Sequence, residues 1–267
     1  MVRAFLKYFG LLPYLKLFRE RYMPSADQKH EKSIMPVRLS FYQEFIEEGD
    51  LCFDIGANIG NRTQVFLALG ARVVAVEPQK ECAKLLELRF GNRINLVNRA
   101  LGKKEGVGEI FISETSEISS LSREWISEVS KTRFKDKRWS QSEQVQLSTL
   151  DKLIDIYGVP KFCKIDVEGF EEEVLMGLSQ PIPIISFEYT VPERFTSINN
   201  CLDRLTQIGE FECNYTMGEI MKLESDSWIS KEALINRMDE LSTSSLFGDI
   251  YIRFKAINKS YIAKAAW

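Results

Sequence analysis

The chain has 267 residues, 45% hydrophobic and 27% charged, with a net charge of −3. That composition excludes a disordered or collagen-like chain, and the acidic balance argues against a dedicated nucleic-acid partner. Five cysteines without a C-x-x-C pair fit a reducing, cytoplasmic setting, and the single histidine, His30, argues against a histidine triad or histidine-rich zinc site.

Residues 1–23, MVRAFLKYFGLLPYLKLFRERYM, place Phe5, Phe9, Leu12, Leu15 and Phe18 at helical spacing, interrupted by Pro13. The stretch is too charged to span a bilayer and lacks the pattern of a signal peptide. A basic amphipathic helix of this kind can rest on an anionic membrane surface. Helical periodicity more often marks a helix packed on its own domain or a partner subunit, and that reading is preferred. Residues 24–36, bounded by Pro24 and Pro36, read as a polar linker. The main domain is therefore expected over 37–267.

From residue 37 the pattern alternates. Helices are predicted over 40–48, 61–69, 80–90, 149–158, 170–178, 197–208 and 231–241. Strands are predicted over 51–56, 72–78, 94–101, 161–169, 182–189, 211–216 and 247–255, with further extended segments over 108–113 and 143–148. Such alternation implies an α/β, Rossmann-like fold with a mostly parallel sheet, and ligands bind such sheets at the carboxyl ends of the strands. Residues 119–142, with Trp125, Phe134, Trp139 and six basic residues, interrupt the extended pair and read as a lid insertion. A second insertion, 218–245 with Trp228, either flanks the same pocket or forms a surface for a homo-oligomer.

The chemistry lies at the strand ends. Asp54-Ile-Gly-Ala-Asn-Ile-Gly60 follows the first strand and opens a helix, with Gly56 shaping the turn. Glu77 ends the second strand, at a separation suited to holding both hydroxyls of an adenosine ribose. The dinucleotide pattern G-x-G-x-x-G is absent, because Asn58 stands at its second glycine. Asp54 would repel a pyrophosphate but attract a sulfonium, which favours S-adenosylmethionine over NAD.

Together with Val76-Glu77-Pro78, Arg99-Ala100-Leu101-Gly102, Ser148-Thr149-Leu150-Asp151 and Lys164-Ile-Asp-Val-Glu-Gly169, this turn resembles the FkbM-type methyltransferases. These are class I S-adenosylmethionine-dependent enzymes, mostly O-methyltransferases. The resemblance runs from about Asp50 to Tyr189, more weakly to Lys255, and implies a seven-stranded sheet whose last strand is antiparallel, for which 247–255 is the candidate. It implies a cofactor site of Asp54, Gly56, Ala57, Asn58, Gly60, Glu77, Pro78, Arg99 and Ala100. Asp166 and Glu168 would face the methyl group and acceptor, with Glu188 at the end of the fifth strand. No histidine follows Glu188, so no histidine base is assigned.

Removing a proton from an alcohol acceptor makes Asp166, Glu168 and Glu188 the base candidates. The same acids, with Asp249, could instead hold a divalent cation such as Mg²⁺ or Ca²⁺, or form a solvated charge network with Lys164. The expected acceptor is a hydroxyl of a small molecule, sugar or lipid-linked glycan. The absence of an Asn-Pro-Pro-Tyr motif after the fourth strand argues against amino-group methylation of adenine or glutamine. The alternatives are an NAD-dependent or nucleotide-sugar-modifying enzyme and a non-catalytic S-adenosylmethionine-binding module.

Overall fold

The structure is a computed structural model, and it describes residues 12–255. In its first half the chain forms α1 (Leu12–Tyr22), α2 (Ala26–Tyr42), β1 (Leu51–Ile55), α3 (Asn61–Ala68), β2 (Arg72–Val76), α4 (Lys80–Phe90), β3 (Ile94–Val97), β4 (Ala100–Leu101) and β5 (Gly106–Ser113). There follow α5 (Arg123–Val129), β6 (Trp139–Ser148), α6 (Leu150–Tyr157), β7 (Phe162–Ile165), α7 (Glu171–Met176), β8 (Ile184–Val191), α8 (Phe195–Ile208), β9 (Phe211–Tyr215), α9 (Lys231–Leu241) and β10 (Leu246–Phe254).

Seven strands form one sheet in the order β3-β2-β1-β7-β8-β10-β9. β10 alone runs opposite to the other six strands of this sheet, as the family resemblance implies. Helices cover both faces, so β1, β2 and β7 are apolar runs rather than half-polar alternations. Phe53 and Ile55 pack with Leu153, Val174 and Leu202 on the α6–α9 side. Cys52 and Phe162 pack with Tyr42, Phe66 and Phe90 on the α2–α4 side. Strand order reverses at β1, between β2 and β7, and the crevice opens beyond that point. A smaller sheet, β4-β6-β5, stands beside it.

Several sequence expectations need correction. The linker read over 24–36 is helical: Ser25 caps α2 in a reciprocal box with Gln28, whose N–H donates to Ser25 Oγ at 3.2 Å. Pro36 lies inside α2, on its exposed side, and the domain boundary set there falls within a continuous helix. That helix ends at Tyr42, so the helix expected over 40–48 is mostly turn. The strand expected over 94–101 is two strands in different sheets. Asn98 ends the first by turning its Nδ2 to the carbonyls of Glu77 at 2.7 Å and Pro78 at 3.1 Å. The strand expected over 161–169 stops at Ile165, leaving Asp166 to Gly169 as loop.

Segment 218–245 packs into the body, with Leu234 and Met238 of α9 fully buried. The five cysteines are free and buried. Among the described residues no helix is long and apolar enough to cross a membrane. Phe5 and Phe9 of the N-terminal periodic stretch lie outside the described residues, as do residues 256–267 of the expected main domain.

Candidate active site

The turn after β1 is held by β2. Gly56 and Ala57 both donate their N–H groups to the Val76 carbonyl, at 2.9 and 3.0 Å. Gly56 has φ of 82°, and a Cβ there would lie 1.8 Å from the Asp166 carbonyl oxygen. Glycine therefore lets the exit of β1 meet the exit of β7, a closeness no other residue permits. The turn brings the Asn58 N–H to the Glu77 carboxylate at 2.8 Å, and the Gln79 N–H reaches its other oxygen at 2.7 Å. Glu77 is buried, which pushes its pKa up to about 7 against the pull of these two donors. Each oxygen keeps a lone pair for a further donor.

These groups line a crevice of about 480 Å³. Of the residues expected from sequence, Gly56, Asn58, Glu77, Pro78, Arg99 and Ala100 line it, together with Asp166 and Glu168. Asp54, Ala57 and Gly60 lie outside the lining. Asp54 is buried and accepts from Thr63 Oγ1 at 2.5 Å; burial raises its pKa, and the Thr63 bond opposes this. Gly60, with φ of 91°, gives room to Phe90, whose ring edge a Cβ would meet at 2.4 Å. Ala57 is buried within the turn itself.

At the far edge of the crevice the carboxylates of Asp166, Glu168 and Glu188 converge, with one oxygen of each within 4.8 Å of the others. Glu168 sits in the left-handed region with φ of 54°, an uncommon conformation for a non-glycine residue and a recurrent one at functional sites. Burial, then repulsion from neighbouring carboxylates, raises the pKa of both Glu168 and Glu188 well above the ordinary carboxylate range. Lys164 Nζ lies 3.2 Å from Asp166 and 2.7 Å from Asp249. Lys164 is 1% exposed and Asp166 36%, so the solvated network considered from sequence has a buried lysine at its centre and a partly exposed acid at its edge. Burial opposes the lysine charge, but Asp166 and Asp249 outweigh it and hold Lys164 protonated. Glu188 also faces a smaller cavity of about 290 Å³, lined by Trp125, Glu171, Thr190 and Arg194 among others.

The segment expected to be a lid covers this edge. Ser116, Glu117, Ser119 and Leu121 form crevice wall that sequence reasoning did not single out, as do Gln79 and Phe170. Gln79 Nε2 donates to the Ser116 carbonyl at 3.0 Å, and Ser120 Oγ to the Glu168 carbonyl at 2.6 Å. Trp125 is buried against Gly169, where any Cβ would clash with its ring. Arg133 fastens the segment to the sheet, donating to the carbonyls of Val191 at 2.8 Å and Leu246 at 2.6 Å. None of residues 218–245 lines the crevice; Glu219 instead bonds Arg62 at 2.7 Å and Arg38 at 3.3 Å.

A model of the methyltransferase FkbM domain matches residues 54–217, which span the turn, Glu77 and all three converging acids. The chain belongs to the FkbM methyltransferase family. It is thus an S-adenosylmethionine-dependent methyltransferase, which sets aside the NAD-dependent and nucleotide-sugar readings. Other likenesses to this FkbM chain are more distant. A ribosomal RNA small subunit methyltransferase A from Anaeromyxobacter dehalogenans is 45% identical over 49 residues, 18% of this chain and 17% of that enzyme. A precorrin-6y C5,15-methyltransferase from Geobacter metallireducens aligns over 84% of this chain and 88% of its own, at 11% identity and a TM-score of 0.43. A TehB-like S-adenosylmethionine-dependent methyltransferase from Corynebacterium glutamicum aligns over 85% and 95%, at 9% identity and a TM-score of 0.44. Likeness at this level carries no acceptor from one chain to another.

Proposed function

We propose that the chain transfers a methyl group to a hydroxyl of a small molecule, sugar or lipid-linked glycan, with Glu188 as the general base. The observation that carries this reading is the meeting of Asp166, Glu168 and Glu188 at the edge of the crevice, with Glu188 also opening to a second cavity. S-adenosylmethionine supplies a methyl group already activated on a positive sulfur, so the protein's work is alignment and proton removal.

Glu77, held by two backbone N–H groups, has lone pairs left for ribose hydroxyls. Pro78, Arg99 and Ala100 form the wall on the adenine side, and Asn58 and Gly56 the floor toward the methionine side. The Asp166 carboxylate, 3.2 Å from Lys164 Nζ, favours a cationic sulfur nearby. Glu188 has a raised proton affinity, which suits taking a proton from an alcohol near neutral pH. Trp125 and its segment exclude water from the reacting pair.

A second reading gives the three acids a divalent cation, which would lower the acceptor's pKa; an all-oxygen donor set suits Mg²⁺ or Ca²⁺. The ammonium of Lys164 beside Asp166 competes with such an ion. Activity that survives exhaustive chelation would exclude this second reading.

The test is release of S-adenosylhomocysteine from S-adenosylmethionine across a panel of phenols, sugars and lipid-linked saccharides. Transfer to oxygen is expected, and Glu188→Gln should lower kcat by about 10²–10⁴-fold while leaving cofactor affinity within about twofold. Transfer to nitrogen, or a Glu188→Gln variant as active as the parent, would overturn the proposal. Cofactor binding with no transfer to any acceptor would favour a non-catalytic module.

A further inference from the structure

We propose that the outward face of α1, together with the first half of α2, docks on an anionic lipid bilayer. Tyr14, Phe18 and Tyr22 recur every fourth residue, so they form one stripe along α1. They are 50%, 53% and 63% exposed, and Met23 extends the stripe at 63%. Large apolar side chains in a contiguous exposed row mark an interaction surface. The opposite face of α1 is occupied: Leu12 is buried, Lys16 pairs with Glu81 of α4 at 3.7 Å, and Glu20 pairs with Arg89 of α4.

Charge is sorted in the same sense. The acids Glu20 and Glu31 are drawn into ion pairs with Arg89 and Arg38, whereas Arg19, Arg21, Lys29 and Lys32 are exposed. Residues 1–40 hold eight Lys or Arg against three Asp or Glu, a net +5; residues 41–267 hold 27 against 35, a net −8. An anionic surface therefore attracts this end and repels the rest, which orients the molecule. Aromatic rings flanked by cations suit the headgroup depth of a bilayer, where the rings leave water and the cations meet lipid phosphates. A nucleic acid would use the cations but leave Met23 in water. The inference does not depend on which acceptor is methylated.

Cosedimentation of the full chain with vesicles tests it. The chain should pellet with phosphatidylcholine vesicles containing about one third phosphatidylglycerol, and stay in solution with phosphatidylcholine alone. The pair Arg19→Glu with Arg21→Glu, and separately Phe18→Ser with Tyr22→Ser, should each lower the partition coefficient about tenfold or more. Melting temperature and S-adenosylhomocysteine affinity should remain those of the parent. Failure to pellet with anionic vesicles, equal partition of parent and variants, or binding to single-stranded RNA in place of vesicles would overturn the proposal.

Discussion

The two edges of the crevice are built by opposite means. On the Glu77 side both carboxylate oxygens accept backbone N–H groups, and the donors come from the turns that follow β1 and β2. On the Asp166 side three carboxylates crowd together, and a buried lysine pairs with only one of them. The first edge is prearranged to receive a ligand and changes little on binding. The second stores unfavourable charge, which a cation or a proton relieves. Binding is thus expected to depend on the first edge and turnover on the second. Loss of turnover without loss of binding in Glu188→Gln would sharpen that division.

The backbone contact joining the two edges is the next place to strike. Gly56→Ala puts a Cβ against the Asp166 carbonyl in a left-handed conformation, so it should cost about 3 kcal/mol or more of stability, read by urea unfolding. A loss below about 1 kcal/mol would mean that the edges are not locked together as described.

Glu77→Ala removes the acceptor proposed for the ribose and should raise the dissociation constant of S-adenosylhomocysteine about 100-fold by calorimetry, with little change in the pH dependence of kcat. A smaller effect follows from protonation. Glu77 has its pKa raised from 4.5 to about 7 in the folded, ligand-free chain, so the folded state holds an extra proton between those values. The stability contribution of this group therefore falls as pH rises through that window and levels off above about 7. Affinity runs the other way, because the ribose hydroxyls donate to the ionised form. The dissociation constant should fall about tenfold from pH 6 to pH 8, and Glu77→Gln should flatten the profile. Smallest of all, Arg133→Ala frees the covering segment from β8 and β10 and should raise the KM for the acceptor about three- to tenfold, leaving cofactor affinity unchanged.

Sequence legibility follows the same division. The turn from Asp54 to Gly60, Glu77 and the strand–helix run between them lie within one βαβ unit, so periodicity and spacing were enough to place them. The contact of Lys164 with Asp249 joins residues 85 apart in sequence, and no local pattern encodes its burial. Gly169 gives the same lesson: its glycine is required by Trp125, which arrives from another segment. Helix α2 was hidden because Pro36 reads as a stop, whereas the Ser25–Gln28 box and packing of Phe41 and Tyr42 override it. Asp54 and Gly60 belong to the recognisable turn, yet the side chain of one and the missing Cβ of the other serve α3 and α4 rather than the crevice lining.

Adenosine is proposed to lie against Glu77 with the sulfur toward Asp166. A crystal structure of the complex with S-adenosylhomocysteine tests it most directly. Ribose hydroxyls are expected within about 3 Å of the Glu77 carboxylate, and the sulfur at the Asp166–Glu168 edge. Adenosine bound elsewhere, or a crevice left empty at saturating ligand, would contradict it.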